Sequence, residues 1–193
     1  LPTDGVISFA SSTMPIMAIL RKNLFTQKAT RIVYTDSLPQ HFDAERIKTV
    51  YGYKFELQKV GSINEVSAFQ GSTIFLCQQE ALFDISLTDE IDFFVSIHPH
   101  LGSLILVNGE ANQEYIGEIQ HVRRRESIAM TPSNCQGALQ LLTEQQTEES
   151  IANPSEQKQA VLSCIKDITG SNTKAIVGSS GLSVQYALMM GLI

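Results

Sequence analysis

Cysteine is scarce in this chain. Only Cys77, Cys135 and Cys164 occur among 193 residues, and none forms a Cys-x-x-Cys pair. An odd, scattered set gives no disulfide framework and fits a reducing compartment. Cys77 lies in a strand-like run and Cys164 on the apolar stripe of a helical pattern, so both read as small core residues. Asn-x-Ser/Thr acceptors are also missing, which agrees with that setting. Basic residues are few: 14 Lys and Arg stand against 20 Asp and Glu, a net charge of −6. That balance argues against nucleic acid, whose binding needs a basic face. The single basic cluster, Arg123-Arg124-Arg125, is followed directly by Glu126. It reads as a solvated strand end, weighed against a phosphate or acidic-lipid contact. Long apolar runs are absent. The longest, around Ile16–Leu20 and Tyr186–Ile193, fall far short of the roughly 20 residues that span a membrane. No signal-peptide pattern is present. The chain starts at Leu1 without a Met and stops on the apolar Ile193, so it reads as a fragment, with room for a membrane anchor outside it. Repeats and low-complexity segments are absent.

What remains is an ordinary globular composition, 43% apolar and 18% charged, in a chain long enough for one large domain or two small ones. "GVISFA" at Gly5–Ala10 alternates like a short strand. Ser11, Ser12 and Thr13 offer helix caps, Pro15 suits a first turn, and Ile16, Ile19, Leu20 and Leu24 form the stripe of a helix. Thr30–Tyr34 is β-branched and aromatic, hence a strand. Asp43–Tyr51 reads as a short helix with Ala44, Ile47 and Val50 on one face, ended by Gly52. Tyr53–Val60 alternates, with Tyr53, Phe55 and Leu57 on one side. A helix is expected around Asn64–Phe69, before the fully buried strand "STIFLCQ". This alternation predicts an α/β layer with parallel pairs. The middle reads differently. "IDFFVSI", "SLILVNGE" and "EYIGEIQHV" predict a three-stranded antiparallel meander, broken at His98–Gly102 and at Asn108-Gly109. Helical signals then return at Gln136–Gln145, with Ala138, Leu139, Leu141 and Leu142. Asn153-Pro154-Ser155-Glu156 starts another helix, which places Ala160, Val161, Cys164, Ile165 and Ile168 in the core and ends at Gly170. The expected fold class is thus α/β, a mixed sheet with strand–helix alternation and a central antiparallel meander. Residues 1–80 and 81–193 are the expected subdomains.

The nearest thing to a chemical motif is the closing "TKAIVGSSGLSVQYALMMGLI". Lys174–Val177 reads as a strand, and Leu182, Tyr186, Met189, Met190 and Ile193 as a helical stripe. Gly178, Ser179, Ser180 and Gly181 therefore join a strand end to a helix N-terminus, where backbone N–H groups suit an anion. A phosphate loop wants Lys after its second Gly, and Leu182 stands there. A nucleophile elbow needs an acid and a His further on, and none follows Ser180. The loop reads first as a helix cap made by Ser179 or Ser180, and second as an anion or nucleotide contact at those four residues. His98 and His100 share a face of an extended segment, with His121 further on, yet no Cys or acid completes a metal spacing. Turn histidines are the competing reading. Asp36 lies just past a parallel strand, where α/β sites gather, but "TDSLP" is also plain turn chemistry.

"DFFVSIHPHLGSLILVNGE" resembles the paired strands that open the second half of an actin-like domain. "AERIKTVYGYKFELQKV" resembles the helix and strand before it. "KAIVGSSGLSVQYALMMGLI" is similar to the closing strand, glycine loop and helix of the actin-like, ribonuclease-H-like proteins of type IV pilus and type II secretion assembly. Where that family carries an acid-x-Gly phosphate contact, this chain has Ser96-Ile97-His98. The resemblance implies a scaffold without turnover. The expectation is a non-catalytic interaction scaffold, with no cofactor and no metal. It would be cytoplasmic and peripheral to the inner membrane, its partners the proteins of a membrane-bound assembly. The alternative is a small-molecule- or nucleotide-binding enzyme or sensor, its pocket near Asp36 and Ser179–Gly181.

Overall fold

The computed structural model describes residues 5–78, 87–98, 101–125, 129–142, 154–171, 174–178 and 180–192. The protein is α/β. Strands β1 (Val6–Phe9), β2 (Thr30–Tyr34), β3 (Glu56–Lys59), β4 (Ser72–Gln78), β5 (Phe93–His98) and β6 (Gly102–Val107) form one mixed sheet in the order β1-β6-β5-β4-β2-β3. β2 pairs in parallel with β3 and β4, β4 in parallel with β5, and β6 antiparallel with β5 and β1. Five strands therefore point one way and β6 alone points back. β1 pairs with β6 and β4 with β5, so one sheet joins strands from both sides of residue 80.

Alternation along the strands feeds two cores. Ile32, Ile74, Leu76, Phe93, Val95, Ile97, Ile105 and Val107 face helices α1 (Met14–Thr26) and α3 (Glu114–Arg125). Val33, Phe75, Cys77 and Phe94 face the other way, against Val60, Val66 and Ile91. β4 and β5 are buried on both faces, as central parallel strands require. A polar tie crosses the first core. The Tyr115 hydroxyl on α3 donates to Asn23 Oδ1 on α1, and Asn23 Nδ2 donates to Thr30 Oγ1 on β2 at 2.8 Å; all three residues are buried.

Several expectations fail for identifiable reasons. β5 and β6 are the antiparallel pair foreseen, but "EYIGEIQHV" is helix α3, not a third strand. Strand alternation would leave both of its faces partly polar, whereas helical spacing gathers Tyr115, Ile119 and Val122 in the core. Arg123, Arg124 and Arg125 accordingly end a helix, where cations meet the negative end of its dipole. β5 also joins β4 in parallel, so the meander expected there is only a hairpin. Residues 64–69 carry a single 3-10 turn at Ile63–Glu65. Leu24 and Leu57 are exposed, Leu57 because β3 is an edge strand.

Helix α2 (Ala44–Tyr51) is capped by Asp43 and ended by Gly52, as expected. Helix α4 (Pro132–Leu142) starts earlier than foreseen and rests on the β5–β6 turn through Ala138, Met130 and Leu101. Helix α5 (Pro154–Thr169) runs as expected, and the Gly170 N–H bonds the Lys166 carbonyl at 2.8 Å. Its foreseen cap, Asn153, lies outside the described residues. Its stripe is not core: Ala160, Val161, Cys164 and Ile168 are exposed and Ile165 is half-buried. No described element packs on that face to cover it. Lys174–Val177 is exposed and pairs with no strand among the described residues. Helix α6 (Gly181–Gly191) follows, with Leu182, Leu188 and Met189 at the surface. Among the described residues, no helix is long and apolar enough to cross a membrane.

A candidate ligand cleft at the carboxyl ends of the strands

The carboxyl ends of β1, β2, β3, β4 and β5 lie along one edge of the sheet, the edge at which open α/β sheets place their ligands. Two helices start there. After β1, Ser11 Oγ accepts the N–H groups of Thr13 at 3.3 Å and Met14 at 3.2 Å, turning the chain into α1. After β2, Asp43 Oδ1 accepts the Arg46 N–H at 3.0 Å and starts α2. Between these helix starts and α6 lies a cleft of about 790 Å³. Its apolar wall includes Met14, Met17, Ile47, Tyr51, Tyr186 and Met190. Its polar groups include Thr13, His41, Asp43, Arg46 and Ser183. The Arg46 guanidinium and the His41 ring have no hydrogen-bond or ion-pair partner among the described residues. A volume of roughly 300–1,000 Å³, with apolar walls and a few convergent polar groups, suits a small organic ligand.

The Gly-Ser-Ser-Gly stretch sits beside this cleft. Ser180 is the cap of α6. Ser183 N–H donates to Ser180 Oγ at 3.1 Å and Ser180 N–H to Ser183 Oγ at 3.0 Å, a reciprocal capping box. Those two N–H groups are thereby committed, which leaves Gly181 and Leu182 as the first-turn donors open to an anion. Ser179 lies outside the described residues. At Gly178 a Cβ would come within 2.6 Å of Val184 Cγ2. Ser183 reaches the cleft from the first turn of α6. Gly178, Ser180 and Gly181 thus adjoin the cleft, although none of these three lines it.

A second polar group lies at the same edge, on the sheet face away from α1. Ser96 and His98, both buried on β5, hydrogen-bond through Ser96 Oγ and His98 Nε2 at 3.2 Å. His98 Nδ1 is buried and has no partner among the described residues. Burial lowers the pKa of His98, holding the ring neutral. Cys77 stands beside Ser96 in the β4–β5 register. Burial, with a smaller push from the Asp36 carboxylate, raises its thiol to about 11, so it is no nucleophile at neutral pH. Asp36 accepts from Thr35 Oγ1 at 3.2 Å just past β2, and next to it Gln78 Nε2 donates to the Ser37 carbonyl at 2.6 Å. His98 therefore belongs to a buried strand and not to a turn. His121 is exposed on α3, and His100 lies outside the described residues. No group of three His, Cys, Asp or Glu suited to a metal occurs among the described residues.

Sequence reasoning placed Asp36 and the closing loop at this edge but missed Thr13, His41 and Arg46. A signal for the last two was present: Asp43 caps a helix that begins only ten residues after β2 ends, so its neighbours must sit near the strand ends.

No family model matches the chain, and no curated protein matches it. Among solved structures it is similar to a protein from Listeria monocytogenes EGD-E provisionally designated an L-allo-threonine aldolase, with 12% identity and a TM-score of 0.43. The match covers 86% of this chain and 59% of that one, so this chain spans less than two thirds of that protein's length.

Proposed function

We propose that this chain binds a small organic molecule in the cleft between α1, α2 and α6. The observation that carries the reading is the cleft itself: about 790 Å³ at the carboxyl ends of the strands, apolar-walled, with the His41 and Arg46 side chains in its lining and unpaired among the described residues. A ligand at a hundredfold excess over its Kd adds about 2.7 kcal/mol to stability. In a chain of this size that raises the melting temperature by about 5–10 °C. The test is a thermal-shift screen of the purified chain against organic acids, nucleotides and amino acids. It is repeated on Ala187→Trp, which fills the cleft from an exposed helix position. A compound that shifts the native chain and not A187W supports the reading. Shifts identical in both proteins, or none across the screen, refute it.

A second reading, the interaction scaffold of an actin-like kind, draws support from a different observation. Ile168, Ile176, Leu188, Met189 and Leu192 are large apolar side chains at the surface of the carboxyl-terminal part. Such a concentration suits a covering partner. Light scattering on the purified chain tests it: self-association that Met189→Lys abolishes supports the reading, and a monomer indifferent to that change argues against it.

A further inference from the structure

We propose that the cleft takes an oxyanion carried on an apolar body, the acid group lying on Arg46 and His41 and the body against Met14, Met17, Tyr51 and Tyr186. The inference rests on the cleft being a ligand site and adds the chemical class of the ligand. Arg46 presents a planar fork of five donors and no acceptor, a shape that matches a carboxylate, sulfonate or phosphate. Its side chain lines the cleft, and no carboxylate is paired with it among the described residues. Asp43 is the acidic residue of the lining, and it is already engaged: its Oδ1 takes the Arg46 N–H at the positive end of α2. Asp43 keeps its charge in that bond, but the Arg46 guanidinium is exposed and has no ion-pair partner among the described residues, so an incoming anion takes its donors from water alone. A cationic ligand would meet Arg46 as a repulsive neighbour. A neutral apolar one would leave the donors of the exposed fork to water and gain nothing from them. The apolar part of the lining includes thioethers and phenol rings, which adapt to a flat or irregular apolar body.

Two fluorescent probes with nearly the same aromatic body test this directly. 1-Anilinonaphthalene-8-sulfonate carries an oxyanion, and N-phenyl-1-naphthylamine does not. Titrated into the full chain, the sulfonate should bind at least tenfold more tightly than the amine. Arg46→Gln should remove that tenfold advantage and leave the amine's affinity unchanged. Lys166→Gln, on α5 away from the cleft, should change neither. Ala187→Trp should weaken both. Equal affinities in the native chain, or a sulfonate affinity that Arg46→Gln leaves intact, would overturn the oxyanion assignment while the cleft stands as a ligand site. If Ala187→Trp leaves both probes bound as before, the probes sit elsewhere and the ligand-site reading falls with the inference.

Discussion

Mild acid should destabilise this protein through a single histidine. His98 is buried on β5, bonded to Ser96 at 3.2 Å, and its Nδ1 faces no partner among the described residues. Burial lowers its folded-state pKa. The unfolded chain, with an ordinary His pKa of about 6.5, therefore takes up a proton at a higher pH than the folded chain does. Above about pH 6.5 both states are neutral and His98 costs nothing. As pH falls through that value the unfolded state gains a proton the folded state refuses, and stability drops. The slope approaches about 1.4 kcal/mol per pH unit for one proton, and continues until the folded-state pKa is reached. Carboxylates blur the result only below about pH 5. Urea unfolding at pH 7.5, 6.5 and 5.5 reads the effect. His98→Gln is the reference, since its amide can still meet Ser96 but cannot charge. The other histidines are present in both proteins, so their contribution cancels. The native chain should lose on the order of 1 kcal/mol more than H98Q between pH 6.5 and 5.5. Equal losses would show that His98 charges as easily folded as unfolded, and would refute the buried, neutral assignment.

Other outcomes follow from the same contacts. Tyr115→Phe keeps the ring against Phe93 but strands Asn23 Oδ1 in the core, so urea unfolding should register a loss of about 1–3 kcal/mol; a loss below about 0.3 kcal/mol would mean that the bond contributes nothing net. Ser180→Ala removes half of the capping box and should raise amide exchange in α6 by about 1 kcal/mol of local opening energy, with the sheet amides unaffected; unchanged exchange in α6 would contradict this. Ile168→Lys should leave global stability within about 0.5 kcal/mol, because that side chain is 79% exposed; a loss of several kcal/mol would mean that α5 is covered in solution. Gly52→Ala should cost about 1–2 kcal/mol, the left-handed penalty at φ 69° in open space. Gly102→Ala should cost distinctly more, because at φ 124° its Cβ would also lie 2.0 Å from the Phe9 carbonyl oxygen; equal losses in the two variants would show that β1 yields freely there.

Most of the sheet was legible in the residues. Thr30–Tyr34, Ser72–Gln78 and the Phe93–Val107 hairpin are β-branched or aromatic runs whose burial matches their pattern. What misled was period. "EYIGEIQHV" tolerates a strand reading because apolar and polar residues mix closely along it, although neither alternate face is wholly apolar or wholly polar. Only Tyr115, Ile119 and Val122 together reveal the helical face, and they do so once Gly109 has turned the chain at φ 79°. α5 misled in the opposite direction. Its stripe of Val161, Ile165 and Ile168 is a true helical period, and the helix is there, but period reports amphipathicity and not what covers it. An apolar stripe becomes core only where another element meets it.

The site was harder to read because its parts are ordinary locally. Arg46 is one more charged residue on a short helix, and His41 one more polar residue in a loop. Neither carries a motif. They acquire chemistry from topology: β1 and β2 are separated in the sheet by β6, β5 and β4, yet point the same way. The helices that leave those two strands both pack on the face of the first core and begin at one edge, with α6 across from them. The loop after one distant strand, the loop after another and the closing helix thus meet at a single cleft. Residues 13, 41, 46 and 186 are far apart in the chain, and no local pattern couples them. Ser96 and His98 make the same point at shorter range. Two residues apart on a strand, they share a face in any strand reading. That they are buried, paired and short of one partner depends on the whole sheet around them. Spacing could propose that pair; only strand order and burial decide whether it meets solvent or core.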